Sequence, residues 1–302
     1  MKILITGDWH LRLKRPLRRT DEDYYLVQRE KVEQILKTAL AEGASFILQP
    51  GDFFDSINTP YQVIVDYIDL FKKYKVTIYA VYGQHDLRYH SANVANTPLG
   101  VMKAVGVVNA VGLVIDTMFS IHGYSWNQPL LEKFELDESK FNILLLHKMI
   151  IDNEKLWTSQ QDFTLAMHLL RRSGFDLIVS GDNHKSFVVE SRDGKVLINC
   201  GSLMRSAVDQ TDHKPVLYIF DTSNRTYKKI ELKIKPAKNV LDLEGFEEEK
   251  ERNLELETFI DGLDTEKDLG LNFSDNLMKA LQEISDSDVV KMVEGILDEA
   301  EG

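Results

Sequence analysis

The sequence predicts an α/β protein: a four-layer α/β/β/α sandwich with a small, acidic, helical C-terminal extension. Three observations carry that expectation. The first third of the 302-residue chain alternates apolar β-rich runs with helical periodicity, the middle breaks into many short strands, and beyond about Pro236 the composition turns acidic.

Residues 2–6 and 45–49 read as strands around a helix over 24–42, where Leu26, Val32, Ile35, Leu36 and Leu40 recur at helical spacing. Residues 61–74 read as a second helix and 76–82 as a third strand, so this βαβαβ rhythm implies a parallel sheet with crossover helices. Short strands follow at 107–110, 112–116, 118–123 and 141–146, then a helix around 160–173 and a strand at 176–180. Strands at 186–192, 195–200, 216–221 and 226–234 are punctuated by turns at Arg192-Asp193-Gly194 and Thr222-Ser223-Asn224. This later half reads as a largely antiparallel sheet. The expected domains are residues 1–235 and an extension over 236–302.

An apolar fraction of 43% suits a soluble globular core. Residues 1–8 read as a strand ending at an acid, not as a signal peptide, and no apolar run has the length of a membrane span. Cys200 is the sole cysteine, so intramolecular disulfides are excluded and a cytoplasmic setting is expected. The net charge of −12 divides unevenly. Residues 242–302 hold 20 acids and 5 bases, a net of −15, whereas the rest holds 28 acids and 31 bases, a net of +3. A mildly basic body is compatible with a polyanionic substrate.

Potential ligands collect where the expected strands end. Asp8 and His10 follow the first; Asp52 and Asp55 follow the second, in Gly51-Asp52-Phe53-Phe54-Asp55. The third leads into Gly83-Gln84-His85-Asp86, the run Ile143-Leu144-Leu145-Leu146 closes on His147, and a later strand runs into Gly181-Asp182-Asn183-His184. Carboxyl ends of parallel strands share one edge, so residues distant in sequence converge there. Mixed carboxylate, amide and imidazole donors suit manganese, iron or zinc.

In this order the motifs resemble the calcineurin-like metallophosphoesterase superfamily, whose pattern runs D-x-H, GD-x-x-D, GNH-D/E, H, GH-x-H. Over residues 1–235 the chain is most similar to the SbcD/Mre family of DNA double-strand-break repair nucleases. The supporting residues are Gly7-Asp8-Trp9-His10-Leu11, Gly51 to Asp55, Asp86, and Gly201-Ser202-Leu203-Met204-Arg205-Ser206. The resemblance implies that Asp8, His10, Asp52 and His184 hold one divalent ion, with Asp52 bridging to a second held by Gln84, His147 and Asp182. It further implies that His85 is the transition-state acid and that Asp86 fixes its ring.

Gln84 stands where the family has asparagine and Asp182 where it has histidine. Both keep oxygen donors and make the second position harder and more negative, favouring Mn2+ or Mg2+ over zinc. The expected activity is phosphodiester hydrolysis by metal-activated water, in the catalytic subunit of an SbcCD-like repair or recombination complex. Two alternatives stay open: a phosphodiesterase or phosphatase for small nucleotides, and a catalytically weak DNA-binding subunit. The protein-phosphatase branch is disfavoured, because Ser56-Ile57 follows Asp55 where an Arg-Gly pair would be expected.

The basic run Arg12, Lys14, Arg15, Arg18 and Arg19 borders the first motif and, with Arg205, is a candidate DNA-backbone surface; Arg88 is a weaker candidate. Apolar positions between Leu277 and Leu297 offer a docking face for an SbcC-like coiled-coil P-loop ATPase. Family resemblance also suggests a homodimer. The compact chain fits a bacterial or a phage-encoded protein, the latter acting in the host cytoplasm.

Overall fold

The computed structural model describes residues 1–87, 94–131, 133–153, 162–207 and 210–243, together with positions 245, 281, 290, 291 and 293. Residues Met1–Leu241 form one compact unit and Asp242–Gly302 a second. Contacts of the first unit extend beyond the expected boundary at 235, through a 3-10 turn at Ala237–Asn239 and a bridge between Arg19 and Leu241. Of the docking positions in the second unit, Leu281, Val290 and Val293 are described and the others, Leu277 and Leu297 among them, lie outside the described residues.

In the first sheet, β1 (Lys2–Ile5), β2 (Phe46–Gln49), β3 (Ile78–Ala80) and β4 (Asn109–Ala110) run parallel. Their crossovers are the helices α1 (Tyr24–Glu42), α2 (Tyr61–Tyr74) and α3 (Pro98–Ala104). Asp23 caps α1 by accepting from Leu26 N at 2.9 Å, and Gly43 ends it in the left-handed conformation. Thr97 caps α3, with Pro98 in its first turn; α3 is absent from the sequence expectation. The late strands β13 (Val216–Asp221) and β14 (Thr226–Glu231) return to this sheet, where β13 lies antiparallel to β1.

The second sheet has the order β11-β12-β10-β7-β6-β5, formed by Phe187–Glu190, Val196–Asn199, Leu177–Gly181, Phe141–His147, Phe119–Tyr124 and Leu113–Ile115. Its four central strands are parallel, contrary to the antiparallel expectation, and only the two edge strands are antiparallel. The chain climbs β7, crosses through α4 (Ala166–Ser173) and climbs β10, so this part repeats the crossover logic of the first sheet. The Asp193-Gly194 hairpin turns β11 down and β12 up again. A small parallel pair, β8 (Ile150–Ile151) and β9 (Thr164–Leu165), precedes α4. Of the expected helix at 160–173, residues 160 and 161 lie outside the described residues.

Alternation along the strands builds the layers. Leu4 and Ile47 face the core under α1 and α2, whereas Ile3, Ile5, Phe46 and Leu48 pack against Ile143, Leu145, Leu177 and Val179 of the other sheet. Leu144, Leu146 and Ile178 point outward to Leu169 and Leu170 of α4. The result is α/β/β/α, with the carboxyl ends of β1, β2, β7 and β10 together on one edge. No helix among the described residues is long and apolar enough to cross a membrane.

Candidate metal centre

The loops leaving those strand ends hold the motif residues through backbone strain and buried polar clamps. Three of the six non-glycine residues with positive φ among the described residues are His10 (46°), Asp52 (48°) and Asp182 (78°). Such conformations are costly and collect at functional sites. Gln28 of α1 is fully buried and clamps the first loop, donating to the carbonyls of Trp9 and His10 at 3.2 and 3.0 Å and accepting from Arg12 N at 3.0 Å. The parallel register sets Gly181 opposite His147. A Cβ on Gly181 would collide with the Asp8 carboxylate, and one on Gly83 with Asp52, so both chain segments pass where only glycine fits.

The side chains converge. Asp8, His10 and His184 place one donor atom each within 4.8 Å of one another, as do His10, Asp52 and His85, and again Asp8, Asp52 and His147. His10 Nε2 lies 3.2 Å from His184 Nε2 and 3.7 Å from Asp52 Oδ2. His147 Nε2 lies 3.4 Å from Asp52 Oδ2. Gln84 joins the far side: its Oε1 is 2.7 Å from His147 Nε2, and its Nε2 donates to Asp182 Oδ1 at 3.1 Å.

This donor set fits divalent ions. Oδ1 of Asp8, Nδ1 of His10 and Oδ2 of Asp52 are buried without a hydrogen-bond partner among the described residues. A buried polar atom left unpaired is costly, and a cation relieves the two carboxylate oxygens. Asp8, His10, Asp52 and His184 would hold one ion; Asp52, His147, Gln84 and Asp182 offer donors for another. The histidines divide by charge. Burial, with His184 nearby, lowers His10 to about 3 against the pull of Asp52, and burial lowers His184 as well, so both present neutral imidazoles.

Burial also works against a charged His147, but Asp52 and Asp8 outweigh it and push its pKa up to about 10. Its Nδ1 donates to the Pro50 carbonyl at 2.8 Å, leaving Nε2 as the ligating position. A proton on Nε2 therefore competes with an ion. Below the raised pKa, affinity at this position should climb about tenfold per pH unit, so manganese isotherms at about pH 6 and about pH 8 should differ about 100-fold. Equal affinities would remove His147 from the ligand set.

The pair His85–Asp86 departs from expectation. Asp86 is fully buried, and among the described residues the hydrogen bonds of its carboxylate go to backbone: it accepts from Phe53 N, Phe54 N and Gly83 N at 3.0, 2.9 and 3.0 Å. It ties the second and third motif loops together and is a positioning residue. The exposed His85 ring is instead held by the Asp55 carbonyl, 2.8 Å from Nδ1. A carbonyl only accepts, so Nδ1 carries a proton and Nε2 faces away from this bond. Asp86→Ala would leave three buried N–H groups unpaired and should cost on the order of 3 kcal/mol of stability, read by denaturant unfolding. Loss of activity with unchanged stability would instead restore a direct role.

The basic residues separate as well. Lys14 and Arg15 are exposed, Arg18 is half-buried, and Arg12 pairs with Asp55 beside the centre. Arg19 and Arg205 are buried, where a DNA strand does not reach, so they are withdrawn as backbone contacts; Arg19 pairs with Asp21 at 2.6 Å, and Arg205 Nη2 donates to the Lys235 carbonyl at 2.7 Å. Arg88 lies outside the described residues. Sequence reasoning missed Gln28 and the Asp55 carbonyl, since neither a buried helix glutamine nor a backbone oxygen has a motif. His213, which belongs to none of the five motifs, bonds the Ser202 carbonyl through Nε2 at 2.7 Å and props the loop beside Asp8.

A family model for calcineurin-like phosphoesterases matches residues 1–186, which includes every converging side chain described above. No curated protein matches the chain.

Proposed function

We propose that this chain, which belongs to the calcineurin-like phosphoesterase family of metal-dependent hydrolases, is a two-metal DNA nuclease working with manganese or magnesium. The observation that carries the reading is the cluster of buried Asp8, Asp52 and His147 with half-buried His10 and His184, whose donor atoms include unpaired ones, faced by the exposed His85. Bound divalent ions supply charge neutralisation of the phosphodiester and acidify the attacking water. The protein supplies the rest. Asp8, Asp52 and His147 form a buried floor, edged by half-buried His10 and His184, that would need little rearrangement during the reaction. His85, whose Nδ1–H is fixed by the Asp55 carbonyl, would protonate the departing sugar oxygen from Nε2 as the doubly protonated imidazolium, leaving the neutral Nδ1–H ring behind.

DNA as substrate is supported by the SbcD-like motifs, by the net charge of the body and by Arg12, Lys14, Arg15 and Arg18, which follow the first ligand loop. A cytoplasmic repair complex, with the second unit docking a coiled-coil ATPase and the chain forming a homodimer, belongs to the same proposal. Purified protein should degrade linear DNA in manganese. Cleavage of bis-p-nitrophenyl phosphate or cyclic nucleotides with DNA left intact would replace the nuclease reading by a small-substrate one.

One observation favours the weak-subunit alternative. The Gln84 amide is engaged at both ends, by His147 and Asp182, so an ion at that position must break two hydrogen bonds. The double change Gln84→Asn with Asp182→His should raise DNA cleavage at least about tenfold if a weakly held second ion limits the rate. An unchanged or lower rate identifies the native pair as the functional one.

A further inference from the structure

A second concentration of buried charge lies along α1, separate from the ligand cluster. Arg19, Lys31 and Arg205 are 3%, 5% and 4% exposed and line one cavity of about 900 Å3. The carboxylate buried with them is that of Asp21, whose Oδ2 takes both Nε and Nη2 of Arg19, at 2.7 and 2.6 Å. Three buried basic groups thus face one buried anion, a crowding that a further anionic partner would relieve. Lys31 Nζ donates to the Leu203 carbonyl at 3.3 Å. An ammonium has three donors, so two remain without a hydrogen-bond partner among the described residues. The crowding is felt electrostatically: burial, and then Arg19 and Arg205, lower Lys31 to about 7.

Asp21 sharpens the chemistry. Its Oδ1 is buried without a hydrogen-bond partner among the described residues, an acceptor in a cavity otherwise rich in donors. A fully ionised oxyanion such as sulfate repels that oxygen, whereas hydrogen phosphate carries a P–OH that can donate to it. On the exposed part of the lining the acids Glu22, Asp23 and Glu30 outnumber Lys233 and Lys235, which does not favour a long polyanion.

We propose that this cavity binds a protonated phosphate group, as free hydrogen phosphate or as the terminal phosphate of a mononucleotide, through Lys31, Arg19 and Arg205 with Asp21 as acceptor. The site would lean on the metal centre through one loop, since Leu203, whose carbonyl holds Lys31, donates its N–H to the Asp8 carbonyl at 2.8 Å.

Isothermal titration of inorganic phosphate into the full chain in EDTA tests this without metal and without hydrolysis, so its outcome is independent of the nuclease reading. Saturable binding is expected, at least about tenfold weaker in Lys31→Met and in Arg205→Gln, with sulfate at least about tenfold weaker than phosphate. Lys31→Met removes an undercompensated buried charge, and its thermal melt in phosphate-free buffer checks that it is folded. Thymidine 5′-monophosphate distinguishes the sources: binding as tight as phosphate assigns the site to a phosphomonoester, and exclusion assigns it to free phosphate. No phosphate binding, binding unchanged in both folded variants, or equal affinity for sulfate overturns the proposal.

Discussion

Asp52→Asn should lower the hydrolysis rate by about 10³-fold or more, because it removes several kcal/mol of charge stabilisation at the point where both ligand groups meet. Asp52 is fully buried, with Oδ2 3.4 Å from His147 and 3.7 Å from His10, and Oδ1 accepting from the His85 backbone N–H at 3.0 Å. Asparagine keeps the size and adopts positive φ as readily as aspartate, so the loop geometry should survive. What disappears is the charge. Burial alone would raise the Asp52 pKa, yet the charged His147 beside it holds it well below the usual carboxylate range, so at neutral pH the native group is an anion. The checks are steady-state kinetics, manganese binding and a thermal melt. Lost activity and weakened binding in a normally melting protein are expected; near-native turnover would exclude Asp52 as a bridging ligand.

His85→Ala should behave differently. The rate is expected to fall by about 10²–10⁴-fold, the range for losing a general acid. Metal affinity and stability should hardly change, because the ring is exposed and its described hydrogen bond goes to the Asp55 carbonyl. The loss should also shrink for substrates with better leaving groups, such as p-nitrophenyl esters, which need less protonation. A uniform loss across leaving groups, with weaker manganese binding, would make His85 a ligand instead.

These two residues were legible in the sequence because each follows a short apolar strand and a glycine, and the five motifs recur in one order. Their mutual support was not. Asp86 follows His85 directly, yet the turn sends its carboxylate back to three backbone N–H groups, a result of loop geometry that spacing does not encode. The first sheet was readable from its long crossover helices. The direction of the second was hidden, because Val196–Asn199 and Leu177–Gly181 are short apolar runs that look the same in either orientation. Helix α3 is seven residues long, and its signal is the Thr97-Pro98 cap alone. In the run from Arg12 to Arg19 every base looks solvated on paper, whereas the fold turns Arg19 inward onto Asp21.

The most direct measurement is isothermal titration of manganese into protein stripped with EDTA, at neutral pH and without substrate. Two ions per chain are expected, with both sites weakened by Asp52→Asn because that carboxylate faces each. A single ion, or two ions untouched by that substitution, would contradict a bridged two-metal centre.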